Sequence, residues 1–232
     1  MVLEVCANSF TSAEIAQKAG ANRIELCEEL SIGGVTPDHA TILKVKEQLT
    51  IPTHVLIRPR GGNFVYTSQE IDQMLEDIQY CRNLGCEGIV SGALTKEGRL
   101  AIKTTQLLIE ASKGMEFTFH RAFDICTNPA TTIYHLLDMG VTRLLSSGQK
   151  NKAVYGIAYL KSLQELTKDS LQIMPGGGIT SENILSFKKA GFTMAHFSAI
   201  KKESDSNTMF NSAISGFSDS KEIQKIKHLV AS

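Results

Sequence analysis

Apolar and polar residues along the chain switch between two periods. Short runs alternate residue by residue, as strands do, and longer runs between them repeat every three to four residues, as amphipathic helices do. Residues 23–27, Arg-Ile-Glu-Leu-Cys, show the first period plainly: Arg23, Glu25 and Cys27 share one face, and Ile24 and Leu26 share the other. Strands are predicted on this basis at 2–7, 23–27, 53–58, 87–91, 116–120, 142–146, 171–174 and 194–198. Helices fit between them at 12–19, 37–49, 68–84, 100–112, 129–139, 154–166, 181–190 and 220–230.

The punctuation agrees with this pattern. Gly20, Gly85, Gly114, Gly140 and Gly191 each follow a helical run and lead into a strand, the place of a left-handed C′ residue. Thr36-Pro37 and Asn128-Pro129 read as a capping side chain before a first-turn proline. Thr11 with Glu14, and Thr67 with Glu70, have capping-box spacing. Eight strand–helix units predict an α/β fold, a (β/α)8 TIM barrel forming a single domain over 1–232. A doubly wound open sheet is the alternative. The polar face of 23–27 then has a natural location, the barrel interior. The stretch 201–219 breaks the rhythm. It is polar, rich in Ser and Asn with Met209 and Phe210 inside it, and reads as a long loop after the eighth strand, of the kind that serves as a lid, a partner contact or a disordered segment.

Composition narrows the function classes. Basic and acidic residues number 24 each, so no single-sign field favours nucleic acid or an anionic membrane. The chain enters a strand at its first residues, without the pattern of a secretory signal, and no apolar run has transmembrane length. Five cysteines, few and odd in number, argue for a reducing cytosol and against a disulfide scaffold.

In a barrel, chemistry collects at the C-terminal ends of strands. Cys6 and Cys27 end the first two strands on inward faces. With Glu4 and Glu25 expected to share a layer, the two thiols would sit together one layer above, on strands about 4.8 Å apart. Two close thiolates suit a soft monovalent ion such as Cu(I); the four-ligand spacing typical of zinc is absent. Cys126 is a candidate third ligand, whereas Cys81 and Cys86 fall at the opposite end and read as structural. A second cluster, Ser147 and Gly148 with Gly176, Gly177 and Gly178, could offer backbone N–H groups to an anion at a helix start. A third comprises Glu25, Arg58, His120 and Asp124, candidates for acid–base catalysis or charge stabilisation on a small phosphorylated or carboxylated metabolite. A structural ion network and ordinary buried cysteines are the bland readings of these groups.

Taken together, Glu4-Val5-Cys6, Arg23-Ile24-Glu25-Leu26-Cys27, Gly33-Gly34-Val35-Thr36-Pro37, Ile57-Arg58-Pro59-Arg60-Gly61-Gly62, Thr118-Phe119-His120-Arg121-Ala122-Phe123-Asp124 and the 174–179 glycine turn make the chain resemble the CutC copper homeostasis family, up to about Ser198. The resemblance implies a TIM barrel, a cytoplasmic location, a homo-oligomer (dimer or tetramer), and copper as the ligand, with no organic cofactor. It maps copper binding onto Cys6 and Cys27. It departs at Ser198-Ala199, which Ile200 and Lys201 follow where the pattern commonly has an arginine, a position that could otherwise offer an anion contact. Whether the chain is also an enzyme stays open, and an enzyme acting on a small anionic metabolite is the alternative function.

Overall fold

A computed structural model describes residues 1–168, 170–200 and 216–231 of the chain. The alternating runs form eight parallel strands: β1 (Val2–Ala7), β2 (Arg23–Leu26), β3 (Thr53–Leu56), β4 (Gly88–Ser91), β5 (Glu116–Phe119), β6 (Arg143–Ser146), β7 (Gln172–Pro175) and β8 (Met194–Phe197). Their order is β7-β6-β5-β4-β3-β2-β1-β8, and the bridge Gly176–His196 brings the two ends together, so the sheet is a nearly closed barrel. Around it lie α1 (Phe10–Ala19), α2 (His39–Gln48), α3 (Ser68–Asn83), α4 (Ile102–Ala111), α5 (Pro129–Asp138), α6 (Ile157–Thr167), α7 (Ile184–Lys189) and α8 (Ser220–Ala231). The outward strand residues Leu3, Val5, Ile24, Leu26, Val55 and Ile89 belong to the main buried apolar cluster, together with helix residues such as Ile42, Ile78 and Leu136. Among the described residues no helix is long and apolar enough to cross a membrane.

The five predicted glycine stops all adopt positive φ. Asn128 caps α5 by accepting from the Thr131 N–H, with Pro129 in the first turn, and Thr67 and Glu70 form a complete capping box on α3. Two predicted starts are corrected. Ser9, not Thr11, caps α1, and Asp38 caps α2 by accepting from Thr41 N, so Pro37 precedes the helix. Thr36 instead accepts from the backbone N–H of Arg58. Helix α7 begins at Ile184 rather than at 181, because residues 180–183 close a turn in which the Asn183 side chain accepts from Thr180 N. Of the predicted loop 201–219, residues 201–215 lie outside the described residues; Ser218 beyond them bridges to Ile200.

The register of β1 on β2 also differs from the expected one. Glu4 faces Arg23 and Cys6 faces Glu25, so the strands are offset by one inward layer. The offset puts opposite charges side by side, where the expected register would have stacked two carboxylates. It leaves Cys27 a layer above Cys6.

Space inside the barrel is set by small residues. Gly88 of β4 faces His54, whose Nε2 lies 3.3 Å from Glu116. A Cβ at Gly88 would come within 2.7 Å of the His54 ring. Gly88→Ala is therefore expected to destabilise the fold by about 1–3 kcal/mol through overpacking, read as a lower urea midpoint at unchanged slope. An unchanged midpoint would show that the ring has room to move.

Candidate metal centre and cavity at the barrel mouth

The period-two alternation of β1 and β2 turns Cys6, Glu25 and Cys27 inward. The Cys6 and Cys27 sulfurs lie 3.4 Å apart, and Cys6 Sγ is 3.9 Å from Glu25 Oε1. Both thiols are free and buried. Closure of the sheet brings β8 beside β1, with His196 opposite Glu4. His196 Nδ1 is 2.8 Å from Glu4 Oε1 and 4.0 Å from Glu25 Oε2. The ligand atoms of Cys6, Glu25 and His196 all lie within 4.8 Å of one another. Arg23 completes the network by donating from Nε to the other Glu4 oxygen.

Burial and neighbouring charge set the protonation here. Burial alone would raise the Glu4 carboxyl, but its hydrogen bond with His196 and the charge of Arg23 outweigh that and hold it well below the usual carboxylate range. Glu25 has no direct cationic partner of this quality; burial, with the charge of Glu4, pushes it up to about 7. Burial opposes a charge on His196, yet Glu25, Cys6 and Glu4 together raise it well above its ordinary value. The Cys6 thiol is raised by its hydrogen bond with Cys27 and then by burial, so it rests protonated.

Above this cluster opens a cavity of about 630 Å³, whose wall includes Cys6, Glu25, Arg58, His120, Gly177 and His196. Cys27 is fully buried, packed against Gly34 and grouped with Cys6, Leu56 and Val90 in a small apolar cluster. Elsewhere on the wall, Arg58 and His120 flank Phe64: the guanidinium lies 4.9 Å from the ring centre and the imidazole 4.6 Å.

The structure thus gathers Cys6, Cys27, Glu25, Arg58 and His120 at one mouth. It disperses the other candidates. Asp124 is absent from the cavity wall among the described residues, because its carboxylate accepts from Ser146 Oγ, from Ser147 N and Oγ, from Gln149 N and from Arg121 Nε. Asp124 fastens the turn after β6. The anion cluster is correspondingly depleted: Ser147 N is bound to Asp124, Gly148 N to Ser146 Oγ and Gly176 N to Ser146 O. Of this cluster only Gly177 and Gly178 line the cavity, and Asp219 and Glu222 share that rim. Cys126 is buried away from the cluster and supplies no third ligand; its carbonyl accepts from Gln149. The residue that sequence reasoning missed is His196. Its signal was present, since it precedes Ser198 by two positions and so shares the inward face.

Comparison with known proteins follows the same lines. The CutC family model matches residues 1–201. A CutC family protein of Pasteurella multocida is 44% identical over 199 residues, covering 85% of this chain and 82% of that protein. One of Bacteroides fragilis is 41% identical over 216 residues, covering 92% and 86%. The crystal structure of a protein of Streptococcus agalactiae, provisionally assigned as the copper homeostasis protein CutC, matches with a TM-score of 0.81 at 33% identity, over 85% of this chain and 98% of that one.

The hydrogen bonds converging on Asp124 predict that Asp124→Asn costs about 2–4 kcal/mol of stability, since an amide cannot accept them all. Urea unfolding measures this, and ligand binding at the cluster beneath the cavity should be retained. A stable variant with altered binding would instead place Asp124 in the site.

Proposed function

The chain belongs to the CutC family, and from that premise we propose that it serves copper homeostasis, holding Cu(I) on the Cys6 and Cys27 thiolates in the cytoplasm. The observation that carries this reading is the 3.4 Å approach of the two sulfurs beside the His196 imidazole. Two soft thiolates and an imidazole suit a soft monovalent cation better than a hard one. Glu4 supports His196 in the manner of an outer-shell carboxylate: it engages Nδ1 and fixes the ring, which must give up a proton before its other nitrogen can bind a metal. The assignment of the Streptococcus agalactiae relative to copper homeostasis points the same way.

Cu(I) would approach through the cavity, because Cys6 forms part of its wall and Cys27 does not. The ion binds thiolate, so it must displace protons from a pair whose Cys6 member is held protonated by Cys27 and by burial. Its affinity therefore rises with pH.

The test is anaerobic titration with Cu(I) against a competing chelator, with Zn(II) as comparator, on the wild type and on Cys6→Ser/Cys27→Ser. Stoichiometric Cu(I) binding is expected in the wild type, strengthening by about tenfold per pH unit for each proton released by the thiols or by His196, and lost in the double variant. His196→Ala should weaken it without abolishing it. Binding indifferent to the two thiols, or a preference for Zn(II), would overturn the reading.

A further inference from the structure

The cavity wall also carries a charge that no carboxylate compensates among the described residues. Arg58 is 5% exposed, and its guanidinium Nη groups donate to backbone carbonyls, Nη1 to Ile32 and Gly34 and Nη2 to Gly62, with the Tyr66 hydroxyl beside it. Among the described residues no carboxylate lies within ion-pair distance of it, and its Nε–H has no acceptor. Buried arginines are ordinarily paired, because carbonyl dipoles do not neutralise a full charge removed from water. The neighbouring Tyr66 hydroxyl supplies no countercharge, since burial pushes it up to about 12 and keeps it protonated.

His120 adds a second idle donor. Its Nδ1 accepts from the backbone N–H of Ala122, which fixes the tautomer and leaves the proton on Nε2. That Nε2–H is buried with no acceptor. Burial, with the charge of Arg58, lowers the imidazole to about 3, so it is a neutral donor at physiological pH. Phe64 packs on both side chains and is itself part of the cavity wall.

We infer that this cavity binds a small organic carboxylate, its negative end against Arg58 and His120 and its remainder along the apolar wall of Leu30, Leu56, Leu145 and Phe197. The volume suits a small ligand. One full positive charge beside one neutral donor matches a monoanion with two acceptor oxygens. A phosphate dianion would leave charge unpaired, and its natural seat, the Gly177–Gly178 rim, is shared with Asp219 and Glu222. This site shares the cavity and Leu56 with the copper centre but uses neither cysteine.

The test titrates the full-length chain with butyrate and pyruvate, with chloride and inorganic phosphate as comparators, following the 13C-labelled histidine rings by NMR. The His120 signal is identified by its loss in His120→Phe. A saturable shift of the His120 resonance by a carboxylate is expected, with phosphate and chloride unable to compete. Arg58→Gln should weaken binding by about tenfold or more, as expected for a lost hydrogen bond to a charged group. Arg58 also anchors three loop carbonyls, so the wild-type titration stands as a test by itself if that variant fails to fold. Cys6→Ser/Cys27→Ser should bind the carboxylate like the wild type, which separates this outcome from that of the copper titration. No movement of the His120 signal up to about 10 mM carboxylate, a range that covers weak binding by so small a ligand, would overturn the inference. So would phosphate or chloride binding as tightly, or a folded Arg58→Gln that binds normally.

Discussion

The barrel is organised around a carboxylate that water cannot reach. Glu4 is fully buried at the centre of β1, and its ionised state survives only because Arg23 of β2 grips one oxygen and His196 of β8 the other. Removing one partner from such a pair leaves a bare buried charge and costs about 3–5 kcal/mol. The network extends in both directions. Toward the N-terminal end, Arg23 and His54 reach Glu116, which Arg143 also binds. Toward the mouth, His196 passes to Glu25 and then to Cys6. Six of the eight strands thus place an inward residue on one chain of charges. Strand register and site geometry become the same constraint: a slip of one inward layer would return Glu4 to the side of Glu25 and pull the imidazole from the thiols.

This constraint explains which parts of the molecule were legible in the sequence. The two hydrophobic periods and the glycine stops are local signals, and they gave the eight units in the right places. The inward face of Cys6 and Cys27 is local as well, and the thiols do meet. The pairing offset between β1 and β2 has no local signal. It is decided by the attraction of Glu4 for Arg23, two residues that sequence separates by a helix. His196 was missed for the same reason. It acquires its role only when the barrel closes and β8 becomes the neighbour of β1.

The glycine turn after β7 shows a different failure. Three consecutive glycines suggested a cradle of free N–H groups, but the first serves closure. A Cβ at Gly176 would lie 2.4 Å from Leu145 and 3.3 Å from His196, so glycine there lets β7 approach β8 at the seam. Ser146 and Asp124 then consume the adjoining donors. A glycine-rich strand end has two physical uses, close approach and anion binding, and sequence composition is the same for both. The buried Arg58, by contrast, showed its character only through what surrounds it. Sequence placed Arg58 at an inward strand end as a charge-stabilising candidate, but only the folded chain shows that no carboxylate pairs with it among the described residues.

The two proposed ligands would share one cavity, and electrostatics fixes how they affect each other. A monovalent copper ion held by two thiolates leaves a net negative centre on the Cys6 wall. A carboxylate against Arg58 places a second negative charge in the same low-dielectric space, where repulsion is screened far less than in water. Each ligand would therefore weaken the other, and by the same factor, because coupling between binding sites is reciprocal. The path reinforces the equilibrium. Cys27 is fully buried and packed against Gly34, so the ion reaches the thiol pair past Cys6, across the volume the carboxylate would fill. A bound carboxylate would thus slow copper entry as well as weaken its binding. A barrel built this way would exchange one ligand for the other through the cavity that both sites line.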